Sequence, residues 1–333
     1  KAMGKSALSR RGFLGTTTGA LVMASVGGHK SLFAAPPATA GDQPVTGAKH
    51  PIRLGGPVFG GSSDPEELAR QHRERGYRAA YCPGVKVDDR ERLRAIREGF
   101  RQNDVVIAEV GVWCNLLDPK ADVRAQNMQR MIDGLAIAEE VEARCCVNIA
   151  GSFNPDVWFG PHPKNLSEEF FDAAVENARK IIDAVKPKRA KLAYEMMGWS
   201  MPDSPDNYLR MIKAVDRDAF AVHLDPCNLI NSPERFYNNA ALLNECFDKL
   251  GPWIVSCHAK DLKWEVEMNV HFVEVPLGQG ALDYRTYLTR LATLPADVPL
   301  MMEHMKSAEE YQASQEYLKK VGLEVGVLFE YVG

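Results

Sequence analysis

The sequence predicts an α/β protein built as a (β/α)8 TIM barrel, and three observations predict it. Eight short apolar runs alternate with amphipathic stretches from about residue 51 to the end of the chain. Such runs read as buried parallel strands, each feeding a crossover helix. No Gly-rich dinucleotide turn follows the first run: Gly55-Gly56 and Gly60-Gly61 lack the G-x-G-x-x-G spacing, and no P-loop is present. A closed barrel is therefore favoured over a doubly wound open sheet. Finally, the last four runs each lead to a polar residue that can bind a metal, and barrel closure would bring four consecutive strand ends to one point.

Taken in order, the expected strands cover residues 52–59, 78–83, 105–113, 144–151, 192–198, 220–226, 254–261 and 299–305. Several helix starts between them are explicit. Asp64-Pro65-Glu66-Glu67 puts Pro and acids in a first turn, and Ser167-Glu168-Glu169 opens an amphipathic stretch to about residue 185. Ser204-Pro205-Asp206 and Ser232-Pro233-Glu234 share one form, an N-cap followed by Pro at the first helical position. Two long connections, 152–165 and 262–280, are expected to be loops on the C-terminal face. The first carries Trp158, Phe159 and His162, the second Trp264, His271 and Gly278-Gln279-Gly280. Their aromatic residues either cover a substrate or pack the loops themselves.

With 333 residues the chain exceeds the roughly 250 that such a barrel needs. A composition of 45% hydrophobic and 25% charged residues is that of a soluble globular protein, and a net charge of −4 gives no global attraction to nucleic acid or anionic membrane. The seven cysteines, mostly in or beside apolar runs, read as core thiols rather than a disulfide framework. Residues 1–40 differ in character. Ser9-Arg10-Arg11-Gly12-Phe13-Leu14 precedes a weakly apolar stretch to Gly28, and Ala38-Thr39-Ala40 is a candidate cleavage site. This pattern resembles a twin-arginine export signal, with a plain basic tail as the alternative. It predicts export in folded form to the periplasm or the extracellular space, a 41–50 linker and a barrel over 51–333. The apolar part is too short for a stable membrane span.

The four runs that lead to ligands are Lys191-Leu-Ala-Tyr-Glu195, Phe220-Ala-Val-His-Leu-Asp225, Ile254-Val-Ser-Cys-His258 and Pro299-Leu-Met-Met-Glu303. Three carboxylates and one imidazole suit Mn²⁺, Mg²⁺ or another divalent ion. His223 lies two residues before Asp225 and shares its side of the strand. It reads either as a group that binds substrate or orients a ligand, or as a core histidine. Trp113 and Asn115 end the third strand and would face a substrate, although Asn115 could equally form a turn. His162 lies in a loop expected to grip the substrate, Lys260 is a candidate for holding a hydroxyl, and Asp261 would orient a neighbouring group.

The order Glu195, Asp225, His258, Glu303 resembles the xylose-isomerase-like barrel superfamily, the sugar (phosphate) isomerases and epimerases. His223-Leu-Asp225-Pro226, His258-Ala-Lys-Asp261 and Met302-Glu303-His304 look like that family's sixth-, seventh- and eighth-strand motifs, and the likeness runs over about residues 52–322. The resemblance implies that Glu195, Asp225, His258 and Glu303 hold one divalent ion, usually Mn²⁺, with Mg²⁺ or Co²⁺ tolerated. The well-characterised ketose 3-epimerases of the family carry a histidine three residues after the sixth-strand Asp. Here that substrate-holding position is Asn228. The extra ligands of a trinuclear zinc cluster, as in the family's DNA-repair endonucleases, have no counterparts in place.

The resulting expectation is a metal-dependent sugar isomerase or epimerase working through an enediolate, with Glu195 and Glu303 as the proton-transferring pair. If these two are ligands only, His223, His304 or Lys260 would take the acid/base work. A neutral sugar or glycoside is the expected partner, because no basic nest for a phosphate stands out and sugar phosphates are uncommon outside the cytoplasm. Two alternatives remain: a lyase that eliminates the aglycone from 3-keto-glycosides, and a catalytically silent sugar-binding barrel. Barrels of this kind commonly form homodimers or tetramers, which makes a homo-oligomer an expectation.

Overall fold

Eight of the ten strands close on themselves. The protein is described by a computed structural model over residues 49–295 and 297–329. The expected export signal lies outside these residues, as does all of the 41–50 linker except its last two positions. In chain order the strands are β1 (Arg53–Gly55), β2 (Ala79–Tyr81), β3 (Val106–Gly111), β4 (Cys145–Asn148), β5 (Lys191–Glu195), β6 (Phe220–Leu224), β7 (Ile254–Ala259), β8 (Asp261–Glu265), β9 (His271–Val275) and β10 (Pro299–Met302). All but β8 and β9 form a closed parallel barrel in the order β1-β10-β7-β6-β5-β4-β3-β2. Every expected barrel strand is present, but all eight stop short of the expected C-terminal end. Cys114, Leu116, Ile149 and Ala150 remain buried beyond the paired residues. Hydrophobicity reports burial, and burial continues into the loops after ladder pairing has ended.

The helices are α1 (Pro65–Glu74), α2 (Arg90–Gln102), α3 (Ala121–Glu140), α4 (Glu168–Val185), α5 (Pro205–Val215), α6 (Pro233–Tyr237), α7 (Asn239–Leu250), α8 (Tyr284–Leu291) and α9 (Ala308–Val325). The four starts legible in the sequence begin α1, α4, α5 and α6. Asp64, Ser167, Ser204 and Ser232 each accept from a first-turn backbone N–H that no helical carbonyl can reach. The main core lies between barrel and helices, where Leu192, Tyr194, Val222 and Leu300 pack in one cluster with Phe170, Tyr208 and Leu288. Tyr194 donates to Ala174 O of α4 at 3.2 Å, so it points outward. Its neighbours Ala193 and Glu195 therefore point into the barrel. All seven cysteines are free, and six are buried. No helix among the described residues is long and apolar enough to cross a membrane.

The rim at the strand N-termini is pinned by charge. Asp104 meets Arg53 and Arg78 at 2.9 Å each and Arg73 at 3.3 Å. These contacts tie the starts of β1, β2 and β3 together, at the end of a barrel that serves stability.

The connection expected as a loop over 262–280 contains an antiparallel hairpin, with Leu262 opposite Glu274 and Trp264 opposite Phe272. Trp264 and His271 belong to its strands. Phe272 stacks on Phe236 with ring centroids 5.0 Å apart, and Trp264 meets both rings edge-on. Asp261, expected near substrate, is instead the staple of this region. Its carboxylate accepts from the amides of Leu262, Gly278, Gly280 and Leu282 at 2.9–3.1 Å. The approach is close enough to require glycine, since a Cβ at position 280 would lie 2.2 Å from Asp261 Oδ1.

Replacing this carboxylate would strand several amides in a buried place. Asp261→Ala is expected to cost about 3 kcal/mol and to lower the melting temperature by roughly 6–10 °C, as read by calorimetry. An unchanged melting temperature would show that water replaces the carboxylate at no cost.

Candidate metal centre

Glu195 closes β5, Asp225 follows β6 directly, His258 lies in β7 and Glu303 follows β10 directly. These strands are neighbours in the barrel order, so four polar side chains meet at one end of it. His258 Nδ1 stands 3.2 Å from Glu195 Oε1, 3.5 Å from Asp225 Oδ2 and 3.0 Å from Glu303 Oε2. Atoms bound to one ion at about 2.1 Å stand roughly 3.0–3.4 Å apart, and two of these three distances fall in that range. One donor atom from each of the four residues lies within 4.8 Å of all the others. His258 and Asp225 are fully buried, whereas the Glu303 side chain is 18% exposed and marks the open side.

The cluster already holds one cation. Lys260 Nζ lies 2.8 Å from Asp225 Oδ2, 2.8 Å from Glu303 Oε2 and 3.4 Å from Glu195 Oε1. Neither Asp225 Oδ2 nor Glu303 Oε2 has a well-aligned hydrogen bond, although both are buried. Three carboxylates and an imidazole nitrogen facing one point are a donor set suited to a divalent ion. The residues present fit such an ion.

Their ionisation reflects the crowding. Burial raises the Asp225 carboxyl, but Lys260 and His258 overcome it and hold the group well below the usual range. Burial also raises Glu303, and again His258 and Lys260 win, so it is held low. At Glu195 burial prevails over Lys260 and His258, and its carboxyl is raised. Burial pulls the His258 imidazole down, while Glu303 and Glu109 push it well above its ordinary value. A divalent ion bound here would favour the charged carboxylates and displace the imidazole proton.

Glu109 is a residue at the cluster that sequence reasoning missed. It lies in the middle of β3, buried, with Oε2 3.4 Å from His258 Nε2 and 3.5 Å from His223 Nδ1. The signal was available: an acid inside the apolar run Val105-Val-Ile-Ala-Glu109-Val is costly to bury unless it has a partner.

The other expected site residues divide. Lys260 and Asn228 are at the cluster: Asn228 Nδ2 donates to Glu195 Oε1 at 3.0 Å and to Met196 O at 3.1 Å. His223 lies beneath the cluster. It is fully buried, its ring centroid 4.1 Å from that of His258, and burial together with His258 pushes it down to about 4, so it is neutral. Asn115 is also spent internally, donating to Ser152 O and accepting from the amides of Leu117 and Ser152. His162 caps a short 3-10 turn by accepting from Lys164 N, and packs edge-on against Phe153. Trp113 follows β3 and is left half-exposed. His304, at φ 65°, has Nδ1 2.7 Å from Glu274 Oε2 of the hairpin. Trp199 Nε1 donates to Phe159 O, joining the segments after β4 and β5, and Trp158, Phe159 and Trp199 all remain exposed there.

Residues 69–321 match the family described as xylose isomerase-like TIM barrel. The chain belongs to that family. No curated protein matches it. A xylose isomerase-like TIM barrel protein from Mycobacterium smegmatis, solved in complex with magnesium, is 18% identical over 83% of this chain and 97% of its own, with a TM-score of 0.56. The 3-keto-D-glucoside 4-epimerase of E. coli is 13% identical over 81% and 99%, with a TM-score of 0.58. The D-psicose 3-epimerase of Clostridium cellulolyticum H10, solved with D-tagatose, is 13% identical over 81% and 99%, with a TM-score of 0.57. At these identities the likeness is one of fold. The structural neighbours of this xylose isomerase-like barrel thus include sugar epimerases.

Lys260 and a divalent ion compete for the same oxygens. Lys260→Met is expected to bind Mn²⁺ about tenfold more tightly by calorimetric titration while melting lower when metal-free, because three carboxylates lose their counter-ion. Weaker binding by this variant would make Lys260 a support of the ion rather than its rival.

Proposed function

We propose that the protein is a divalent-metal-dependent sugar isomerase or epimerase that moves a proton on a carbon next to a carbonyl. The observation that carries this reading is the placement of Glu195 and Glu303. They stand on β5 and after β10, with β6 and β7 between them in the barrel, and so approach a shared centre from opposite sides. When bound, the ion would polarise the carbonyl and stabilise the enediolate formed on proton loss. Glu303, the more open of the two and held ionised, is placed to remove the proton from one face. Glu195, whose carboxyl is raised and which Asn228 and Lys260 hold in position, is placed to return it on the other. We take the ion to be Mn²⁺, with Mg²⁺ or Co²⁺ able to replace it.

Asn228 and Lys260 are the groups we assign to substrate hydroxyls, and the exposed Trp158, Phe159 and Trp199 offer apolar faces for a sugar ring. The substrate we infer is a neutral sugar or glycoside, because the centre is rich in acids: Glu195, Asp225 and Glu303 surround Lys260, and Glu274 faces His304. The Arg10-Arg11 segment supports a further part of the proposal, a protein exported in folded form that works in the periplasm or outside the cell. Elimination of an aglycone from a 3-keto-glycoside would use the same base. The E. coli neighbour whose name specifies a 3-keto-D-glucoside keeps that substrate class in the test.

The test is NMR in D₂O with ketoses, aldoses and 3-keto-glycosides, the Mn²⁺ being removed before spectra are read. Deuterium entry at a carbon beside the carbonyl with mass conserved is expected. EDTA should abolish it, and Glu303→Gln or Glu195→Gln at saturating metal should slow it roughly 10³-fold. Release of an aglycone would move the protein to the lyases, and metal binding without exchange on any sugar would make it a binding protein.

A further inference from the structure

Beneath the ligand layer the barrel carries a second polar layer, and the proton-transfer reading gives it no task. Glu109 stands on β3, which is four strands from β7 in either direction around the ring. Its side chain reaches across the barrel axis to His258 Nε2 at 3.4 Å, and Oε2 also lies 3.5 Å from His223 Nδ1. Glu109, His223 and His258 are all buried, and Glu109 Oε2, both ring nitrogens of His223 and His258 Nε2 have no well-aligned hydrogen bond. A carboxylate at the centre of a barrel is costly, and it persists where something beside it uses its charge.

His258 has two ring nitrogens with opposite surroundings. Nδ1 faces Glu195, Asp225 and Glu303, whereas Nε2 faces Glu109. An imidazole that binds an ion through one nitrogen must carry its proton on the other, and a carboxylate accepting that proton fixes both the tautomer and the ring plane. We infer that Glu109 is a positioning residue of the metal centre: it accepts the Nε2 proton of His258 from the far side of the barrel and so presents the Nδ1 lone pair to the ion. His223 contributes its Nδ1–H to the same carboxylate and keeps it from turning away. This inference rests on the metal reading of the cluster above. A second ion among Glu109, His223 and His258 is the competing use of the same atoms. It would require His258 to give up both ring protons, whereas one shared proton satisfies Glu109 and His258 together.

The experiment uses the full chain and the metal alone. Mn²⁺ affinity and stoichiometry are measured for wild type, Glu109→Gln and Glu109→Leu, together with the melting temperature of each metal-free protein. Imidazole ¹H–¹⁵N spectra are recorded with diamagnetic Mg²⁺. Wild type should bind one ion, and its His258 Nε2 proton should be shifted downfield by the carboxylate. Glu109→Leu should bind 10–100-fold more weakly and lose that resonance. Glu109→Gln keeps an acceptor without the charge and should fall between the two, at a metal-free melting temperature close to wild type. If the Leu variant does not fold, the Gln variant and the wild-type spectrum carry the test. Wild-type affinity in Glu109→Gln with no downfield proton in wild type would overturn the inference, as would a second ion per chain that is lost in Glu109→Gln. A wild type that binds no ion would remove the metal reading itself, which is a different result.

Discussion

The structure turns on one electrostatic constraint: four carboxylates, those of Glu109, Glu195, Asp225 and Glu303, are packed around one imidazole where little water reaches them. Each charge taken out of water costs several kcal/mol unless a partner compensates it. Lys260 and a protonated His258 supply part of the compensation, and negative charge still predominates. A divalent ion at the cluster would offset that excess. The barrel makes the arrangement possible because parallel closure aligns the ends of β5, β6, β7 and β10 without requiring any of them to bend.

The surroundings hold these side chains still. Tyr287 donates to His258 O at 2.8 Å and Tyr284 to Lys260 O at 2.7 Å, so α8 fixes the backbone at the end of β7, which carries the imidazole, and at Lys260 just beyond it. Asp261 gathers the loop that follows, and the hairpin it anchors brings Glu274 to His304. His304 follows Glu303 in a left-handed conformation that a side chain of this size rarely adopts. The contact with Glu274 helps to hold that turn, and with it the direction in which Glu303 leaves β10. A hairpin that looks like decoration on the barrel is therefore part of the support for a ligand.

What the sequence could reveal followed from how local each feature is. Strands and helix starts are local patterns, so the eight runs and the four caps at Asp64, Ser167, Ser204 and Ser232 were legible. The meeting of Glu195, Asp225, His258 and Glu303 was legible for a different reason: four strand ends in regular order become neighbours once the barrel closes. The β8–β9 hairpin was not legible although Leu262, Trp264, Phe272 and Glu274 alternate as strands do, because its two five-residue strands lie outside the strand–helix alternation that marks the barrel. Asn115, His162 and Asp261 were placed at the substrate because a polar residue after a strand is ambiguous. Whether it meets a ligand or a loop amide depends on hydrogen bonds to residues far along the chain, such as Ser152 for Asn115 and Leu282 for Asp261. His223 shares a face with Asp225, as period two requires, but sits one layer deeper, and depth along the barrel is not written in the alternation.

Lys260 bears on how such a centre can exist before its ion arrives. A site of bare carboxylates would repel itself and oppose folding, so that ion and fold would have to form together, as in small zinc domains. Here the chain supplies an ammonium of its own, reaching Asp225 and Glu303 at 2.8 Å from two residues beyond the histidine ligand. The barrel's large apolar core is built from residues other than the clustered carboxylates and imidazole, and the tethered cation offsets part of the repulsion among them. On the proposed reading, loading would be an exchange on a folded protein: an ion would approach from the side where Glu303 is open, and the ammonium would give up the oxygens it holds. The same motion would free Lys260 for a hydroxyl of the substrate, so that one lysine serves the empty centre as counter-ion and the loaded centre as a binding group.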